Sequence, residues 1–162
     1  MPTQRHARLF LDTGVLIDGF FNPWGTCKGV LILATLRGQF RVVVAEPVAE
    51  EFRRNTEKKL ARLSEDEAAT VRASIAGWFG RARPERALWP PEADLLAHAG
   101  LITAVRHRND MPAVVAALLA RPDWILSTNT EHWNEELAAR TGLRIATPAR
   151  FLRSLYPRTE TT

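Results

Sequence analysis

At 162 residues the chain has the length of one domain, enough to bury an apolar core without a disulfide or a structural metal. Its 46% apolar and 25% charged residues exclude a disordered chain, and its lone cysteine, Cys27, excludes an internal disulfide or a thiolate zinc site. The net charge is +4, and all 22 basic residues except Lys28, Lys58 and Lys59 are arginines, whose planar forks suit phosphate oxygens.

No charge-free stretch approaches the ~18 residues of a membrane span, and the N-terminus carries no apolar leader run. The expectation is a cytoplasmic protein with no membrane contact, built as a single domain over residues 1–162 with a core over about 7–155.

In chain order, residues 8–12 (RLFLD) form an apolar run that reads as a buried strand. Residues 13–20 and 26–37 read as helices, broken by Asn22-Pro23-Trp24-Gly25, with Gly38 ending the second. Residues 40–45 (FRVVVA) are β-branched and apolar, a second strand. Pro47 can open a helix reaching about residue 60, and Ser64 with Glu67 forms a capping box for another reaching about residue 79. The irregular stretch 80–91 has room for a short strand near 87–89, and its Trp89 is the tryptophan expected to be most exposed.

Beyond it, residues 92–105 read as helix, 107–110 as a polar break, and 112–120 as a helix of small apolar residues. Residues 123–128 (DWILST) read as a strand, 131–140 as a helix stopped by Gly142, and 143–146 as a last strand. Thr147 and Pro148 then cap and open a final helix reaching residue 155, before a short flexible tail. Apolar strands alternating with helices imply a parallel sheet covered on both faces.

In open sheets of this kind ligands bind beyond the carboxyl ends of the strands. That rule selects Asp12 after the first strand, and Ser127, Thr128 and Asn129 after the DWILS strand. No G-x-G-x-x-G or P-loop motif is present, so neither a dinucleotide nor a P-loop nucleotide site has support. Two more acids join the set: Glu51 in PVAEEFRR and Asp110 in HRNDMPAVVAALL. At about 100° per residue, Glu51 borders the buried stripe defined by Val48 and Phe52, whereas Glu50 points to solvent. Asn129 reads either as a site residue or as the cap of a helix at Glu131, and Glu131 as an acid able to restore the charge that Asn129 lacks. Carboxylates at the mouth of a parallel sheet, in a basic chain, suit Mg²⁺ or Mn²⁺ and phosphodiester hydrolysis. Asp18 reads as a solvated helix residue, Cys27 as buried and inert, and His6, His98, His107 and His132 as surface or capping residues. Arg53, Arg54, Lys58 and Lys59 lie on or beside the Glu51 helix and read either as a solvated face or as cations that steer a phosphate backbone.

With these segments in their order, the chain resembles the PIN-domain family over about residues 7–155. The resemblance rests on Leu9-Phe10-Leu11-Asp12-Thr13-Gly14-Val15-Leu16, on Glu51 before Phe52, on Asp110 before Met111-Pro112-Ala113-Val114, and on Ser127-Thr128-Asn129-Thr130-Glu131, where the family typically has T-x-D-x-D. It implies a three-layer α/β/α fold around a central parallel sheet of four to five strands. It further implies a metal-dependent ribonuclease, with Asp12, Glu51, Asp110 and Asn129 as catalytic residues and Asp12, Asp110, Glu51 and Glu131 as the Mg²⁺ or Mn²⁺ set. The implied partners are RNA, an antitoxin protein and a second copy of the chain. The alternative reading is a degenerate domain that binds RNA or a protein without cutting, for which Asn129 is the chief argument. A phosphatase or receiver-type protein built round Asp12 would need an acid two residues on, where Gly14 stands.

Overall fold

Leu9, Phe10 and Leu11 are all completely buried, although successive strand residues point to opposite faces. Such a strand must be covered on both sides, as a central parallel strand is. The computed structural model describes residues 6–36 and 39–156, and in it this segment is β1 (Ala7–Leu11), the middle of a five-stranded parallel sheet. The other strands are β2 (Phe40–Ala45), β3 (Glu85–Ala87), β4 (Trp124–Leu126) and β5 (Ile145–Ala146), in the order β3-β2-β1-β4-β5. Leu9 lies opposite Val42 on one side and Trp124 on the other, and Phe10 opposite Val43 and Ile125.

Side chains in register share a face, so the two faces are identified by their aromatic contacts. On one, Phe151 of helix α8 (Pro148–Leu155) meets Phe40 at 5.7 Å and Trp124 at 5.8 Å, both edge-on. On the other, Trp133 tilts against Phe10 at 6.0 Å. Helices α1 (Thr13–Phe21), α2 (Thr26–Ala34), α3 (Glu46–Leu60) and α4 (Glu65–Ala82) fill the crossovers from β1 to β3. Phe20, Phe52, Trp78 and Phe79 join α1, α3 and α4 through a chain of ring contacts. Cys27 is buried, as expected; burial, and then a hydrogen bond and the charge of Asp18, push its thiol up to about 12. Asp18 thus faces a buried neighbour rather than only solvent.

Local chemistry sets most element ends. Pro47 sits in the first turn of α3. Ser64 caps α4 with the full reciprocal box: its hydroxyl accepts from the Glu67 N–H at 3.3 Å, and Glu67 accepts from the Ser64 N–H at 2.9 Å. The Ser64 N–H, and the Ser64 hydroxyl donating to the same Glu67 Oε2 at 2.9 Å, hold the Glu67 carboxyl below its usual range. Ser64→Ala is therefore expected to lower stability by about 1 kcal/mol, read as a shifted urea midpoint at unchanged slope. Thr147 caps α8 as expected, accepting from the Arg150 N–H at 3.2 Å. Gly142 stops α7 (Glu135–Thr141) at φ +73°, a left-handed position that suits a glycine.

Several boundaries differ from expectation; the strands expected over 123–128 and 143–146 shorten to Trp124–Leu126 and Ile145–Ala146. The helix expected over 92–105 breaks into α5 (Glu92–Ala97) and a 3₁₀ segment (Ala99–Thr103). His98 turns its ring onto the Asp94 carbonyl at 2.8 Å, and Gly100 weakens continuation. The short strand near 87–89 is instead Glu85–Ala87, because α4 runs on to Ala82 and ends at Arg83 in the left-handed region. Helix α7 starts at Glu135, not Glu131, because Asn134 is its cap and accepts from the Leu137 N–H at 2.9 Å. Helix α2 ends at Ala34; Gly38, its expected terminator, and the tail beyond residue 156 lie outside the described residues. Trp24, at 94% exposure, is more open than Trp89 at 45%, since the turn between α1 and α2 leaves its ring against nothing. Among the described residues no helix is long and apolar enough to cross a membrane.

Candidate active site

The strand order places the topological switch at β1. The chain moves outward from β1 to β2 and β3, then returns to β1's other side for β4 and β5. The crevice expected at such a point lies beyond the carboxyl ends of β1 and β4. There the structure has a cleft of about 320 Å³ lined by Asp12, Glu51, Asp110 and Asn129, four of the five site residues expected from sequence.

Each arrives from a different element. Asp12 follows β1, where its N–H donates to the Leu126 carbonyl at 3.0 Å and so holds β1 to β4 one residue beyond the strand. Its side chain makes no capping bond to α1; Oδ2 instead accepts from the Ser127 hydroxyl at 2.7 Å. Ser127 Oγ in turn accepts from the Asn129 N–H at 3.0 Å. Glu51 sits in the second turn of α3, and its Oε2 accepts from the buried Thr13 hydroxyl at 2.8 Å. Asn55, one helical turn on, lines the same cleft. Lys58 falls within about 20° of Glu51 on this helix, so the Glu51–Asn55 stripe continues into an exposed cation. Asp110 closes a 3₁₀ turn (Arg108–Asp110) directly before α6 (Met111–Ala120), half-buried at the cleft wall. Gly14 is needed for close approach: a Cβ there would meet the Thr128 hydroxyl at 2.6 Å.

Glu131 is the exception. It is exposed, pairs with Arg106, and does not line the cleft. The expectation that it restores a charge to the site is corrected by the local turn. Residues 129–133 fold back on themselves, with Trp133 N–H donating to the Asn129 carbonyl at 3.0 Å and His132 N–H to its side-chain Oδ1 at 3.2 Å. In a turn of this kind positions three apart share a side, so the neighbour brought to Asn129 is His132. Asn129 therefore caps a turn and lines the cleft, and it is not the cap of α7.

His132 was expected on the surface and is buried, with its ring edge-on to Trp133 at 5.4 Å. Nδ1 lies 3.1 Å from Asp110 Oδ2 but off the line of a good hydrogen bond, and it has no hydrogen-bond partner among the described residues. A buried polar atom left so costs about 1–3 kcal/mol unless something else meets it. The legible signal was position: one turn past the strand end that selects Asn129.

The donors in the cleft are carboxylates, an amide, hydroxyls and one imidazole. This set fits a divalent cation, and the unmet His132 nitrogen points the same way. Among the described residues, however, no three His, Cys, Asp or Glu side chains converge into a ready-made cage. An ion here would rest on one or two protein groups, with water and substrate phosphate completing its shell, as Mg²⁺ commonly does.

No known family profile matches the sequence, and neither does any curated protein. Solved structures do match. A chain of VapBC2 from Rickettsia felis, bound to a DNA fragment from its promoter, aligns with a TM-score of 0.57 at 12% identity, over 86% of this chain and 98% of that one. A chain of DNA-bound VapBC from Salmonella typhimurium gives 0.57 at 17% identity, over 88% and 98%. VapBC-1 from nontypeable Haemophilus influenzae gives 0.53 at 16%, over 88% and 98%. Identities this low speak for the architecture alone. The chain has the PIN-like α/β fold, with a five-stranded parallel sheet flanked by helices.

Proposed function

We propose that the cleft is the active site of a divalent-metal-dependent endoribonuclease, the toxin half of a toxin–antitoxin pair. One observation carries this reading: Asp12, Glu51 and Asp110, from three distant segments, line one cleft at the switch point of a parallel sheet. The fold likeness to chains of VapBC toxin–antitoxin complexes supports the partner class. RNA, an antitoxin and a second copy of the chain are the partners we assign.

In this mechanism Asp12 and Asp110 would hold the Mg²⁺ or Mn²⁺ ion, with Glu51 available to join them. When bound, the ion supplies an activated water and charge neutralisation at the scissile phosphate. The chain's own groups do the positioning. Ser127 fixes the Asp12 carboxylate, Thr13 fixes Glu51, and the Asn129 turn fixes His132. The Asn55–Lys58 stripe of α3 offers an amide and a cation to the backbone of an incoming strand. The test is cleavage of a mixed RNA pool with Mg²⁺, with Mn²⁺ and with EDTA: fragments should form with either ion and not with chelator.

A second reading has a specific observation behind it. Asn129 contributes no charge and Glu131 turns away to Arg106, so the cleft lacks both acids of the T-x-D-x-D segment. A non-cutting RNA binder would retain RNA in EDTA and leave it intact with metal. The same observation gives a prediction. Asn129→Asp keeps the acceptor that holds His132 and adds a full charge beside the cleft, where screening is incomplete. It is expected to tighten Mn²⁺ binding about tenfold in calorimetry, equivalent to about 1.4 kcal/mol. Glu131→Gln, outside the cleft, is expected to leave that affinity unchanged.

A further inference from the structure

We propose that His132 is a nitrogen ligand of the cleft's divalent ion, beside Asp110, and that it biases the site toward transition ions such as Mn²⁺ over Mg²⁺. This inference rests on the metal-dependent reading of the cleft and names the ligand that sets its ion preference.

Three observations lead to it. His132 Nδ1 is buried and has no hydrogen-bond partner among the described residues, a state that a protein seldom leaves without a use. It faces a carboxylate without bonding to it: the 3.1 Å to Asp110 Oδ2 is close to the ~3.0 Å separating two donors that each sit ~2.1 Å from one ion at right angles. The ring is also fixed in advance. The residue's backbone N–H is held by Asn129 Oδ1, and its ring packs edge-on with Trp133. A backbone held in place and a packed ring, with its nitrogen beside an acid, is how a ligand is preorganised.

The chemistry then sets the selectivity. Mg²⁺ takes oxygen ligands and gives up its water reluctantly, so an imidazole adds little for it. First-row transition ions accept nitrogen readily, with affinity rising from Mn²⁺ toward Co²⁺ and Ni²⁺. A cleft of oxygens alone would discriminate weakly; one imidazole beside Asp110 tips it. Asn129 bears on this too, because the segment that lacks its carboxylates supplies a histidine one residue after Glu131.

Pulsed EPR of the Mn²⁺-loaded protein reads the bond directly, as a nitrogen coupling from a coordinated imidazole. The partner measurement is calorimetry with Mn²⁺ and with Mg²⁺ on wild type and His132→Asn. The asparagine amide is polar and fits the space but offers no nitrogen lone pair, so loss of the coupling reports ligation. The wild type should show the coupling, and His132→Asn should lose it while the ratio of Mn²⁺ to Mg²⁺ affinity falls about tenfold. Mn²⁺ bound to wild type without nitrogen coupling overturns the assignment, whether or not the variant folds. An unchanged affinity ratio in a folded His132→Asn overturns it as well. Failure of wild type to bind Mn²⁺ at all removes the metal-dependent reading, and the ligand with it.

Discussion

Asp12→Asn is expected to cut metal-dependent RNA cleavage by at least about 100-fold while leaving the fold in place. Loss of groups that merely orient metal ligands already costs 10- to 100-fold, and Asp12 is assigned as a ligand itself. The substitution changes charge and almost nothing else. An asparagine oxygen still accepts from the Ser127 hydroxyl, and the backbone bond to Leu126 is untouched. Helix α1 does not depend on the Asp12 side chain for its cap. Circular dichroism and the melting temperature should therefore match wild type while the RNA pool stays intact with Mn²⁺. Full cleavage by the variant would take Asp12 out of the chemistry.

The largest stability effect is expected at Phe10. It is completely buried in the central strand and meets Trp133 across the face opposite α8. Truncation to alanine leaves a void where neither the strand nor the indole has room to collapse, costing about 3–5 kcal/mol. Domains of this size have about 5–15 kcal/mol in total, so the urea midpoint should fall by about a fifth or more. A loss under about 1 kcal/mol would mean that the site relaxes freely and the sheet is not the rigid platform described. Trp133 also closes the 129–133 turn, so the same variant should loosen His132 and weaken Mn²⁺ binding.

Much of the fold could be read from the sequence because parallel strands announce themselves. Residues 42–45 of FRVVVA and Ile125 and Leu126 of WIL are buried on both faces, so apolar runs bounded by turns mark them. Asp12, Glu51 and Asp110 were legible for a related reason. Each lies at a fixed offset from a strand end, a helix stripe or a helix start, and regular geometry carries such offsets into space. The segment after β4 has no such regularity. Starting a helix at 131 sets Glu131 beside Asn129, whereas the turn pairs 129 with 132. That single difference sends Glu131 out to Arg106 and brings His132 in. The start of α7 failed similarly: Asn129 and Asn134 both precede glutamates, and only the turn decides which one caps a helix.

The placement of β1 between β2 and β4 also fixes when the cleft comes into being. Asp12 and Ser127, whose hydrogen bond ties its two walls together, are 115 residues apart in the chain. At the ~5–20 residues per second of ribosomal synthesis, roughly 6–23 s separate their appearance. Throughout that interval the nascent polypeptide can form β1, α1, β2 and α3 but owns no complete crevice, because the segment after β4 supplies Thr128, Asn129 and His132 to its lining. For a cleft that cuts RNA, this interval keeps the emerging chain harmless to the message encoding it until its central strand gains its second neighbour.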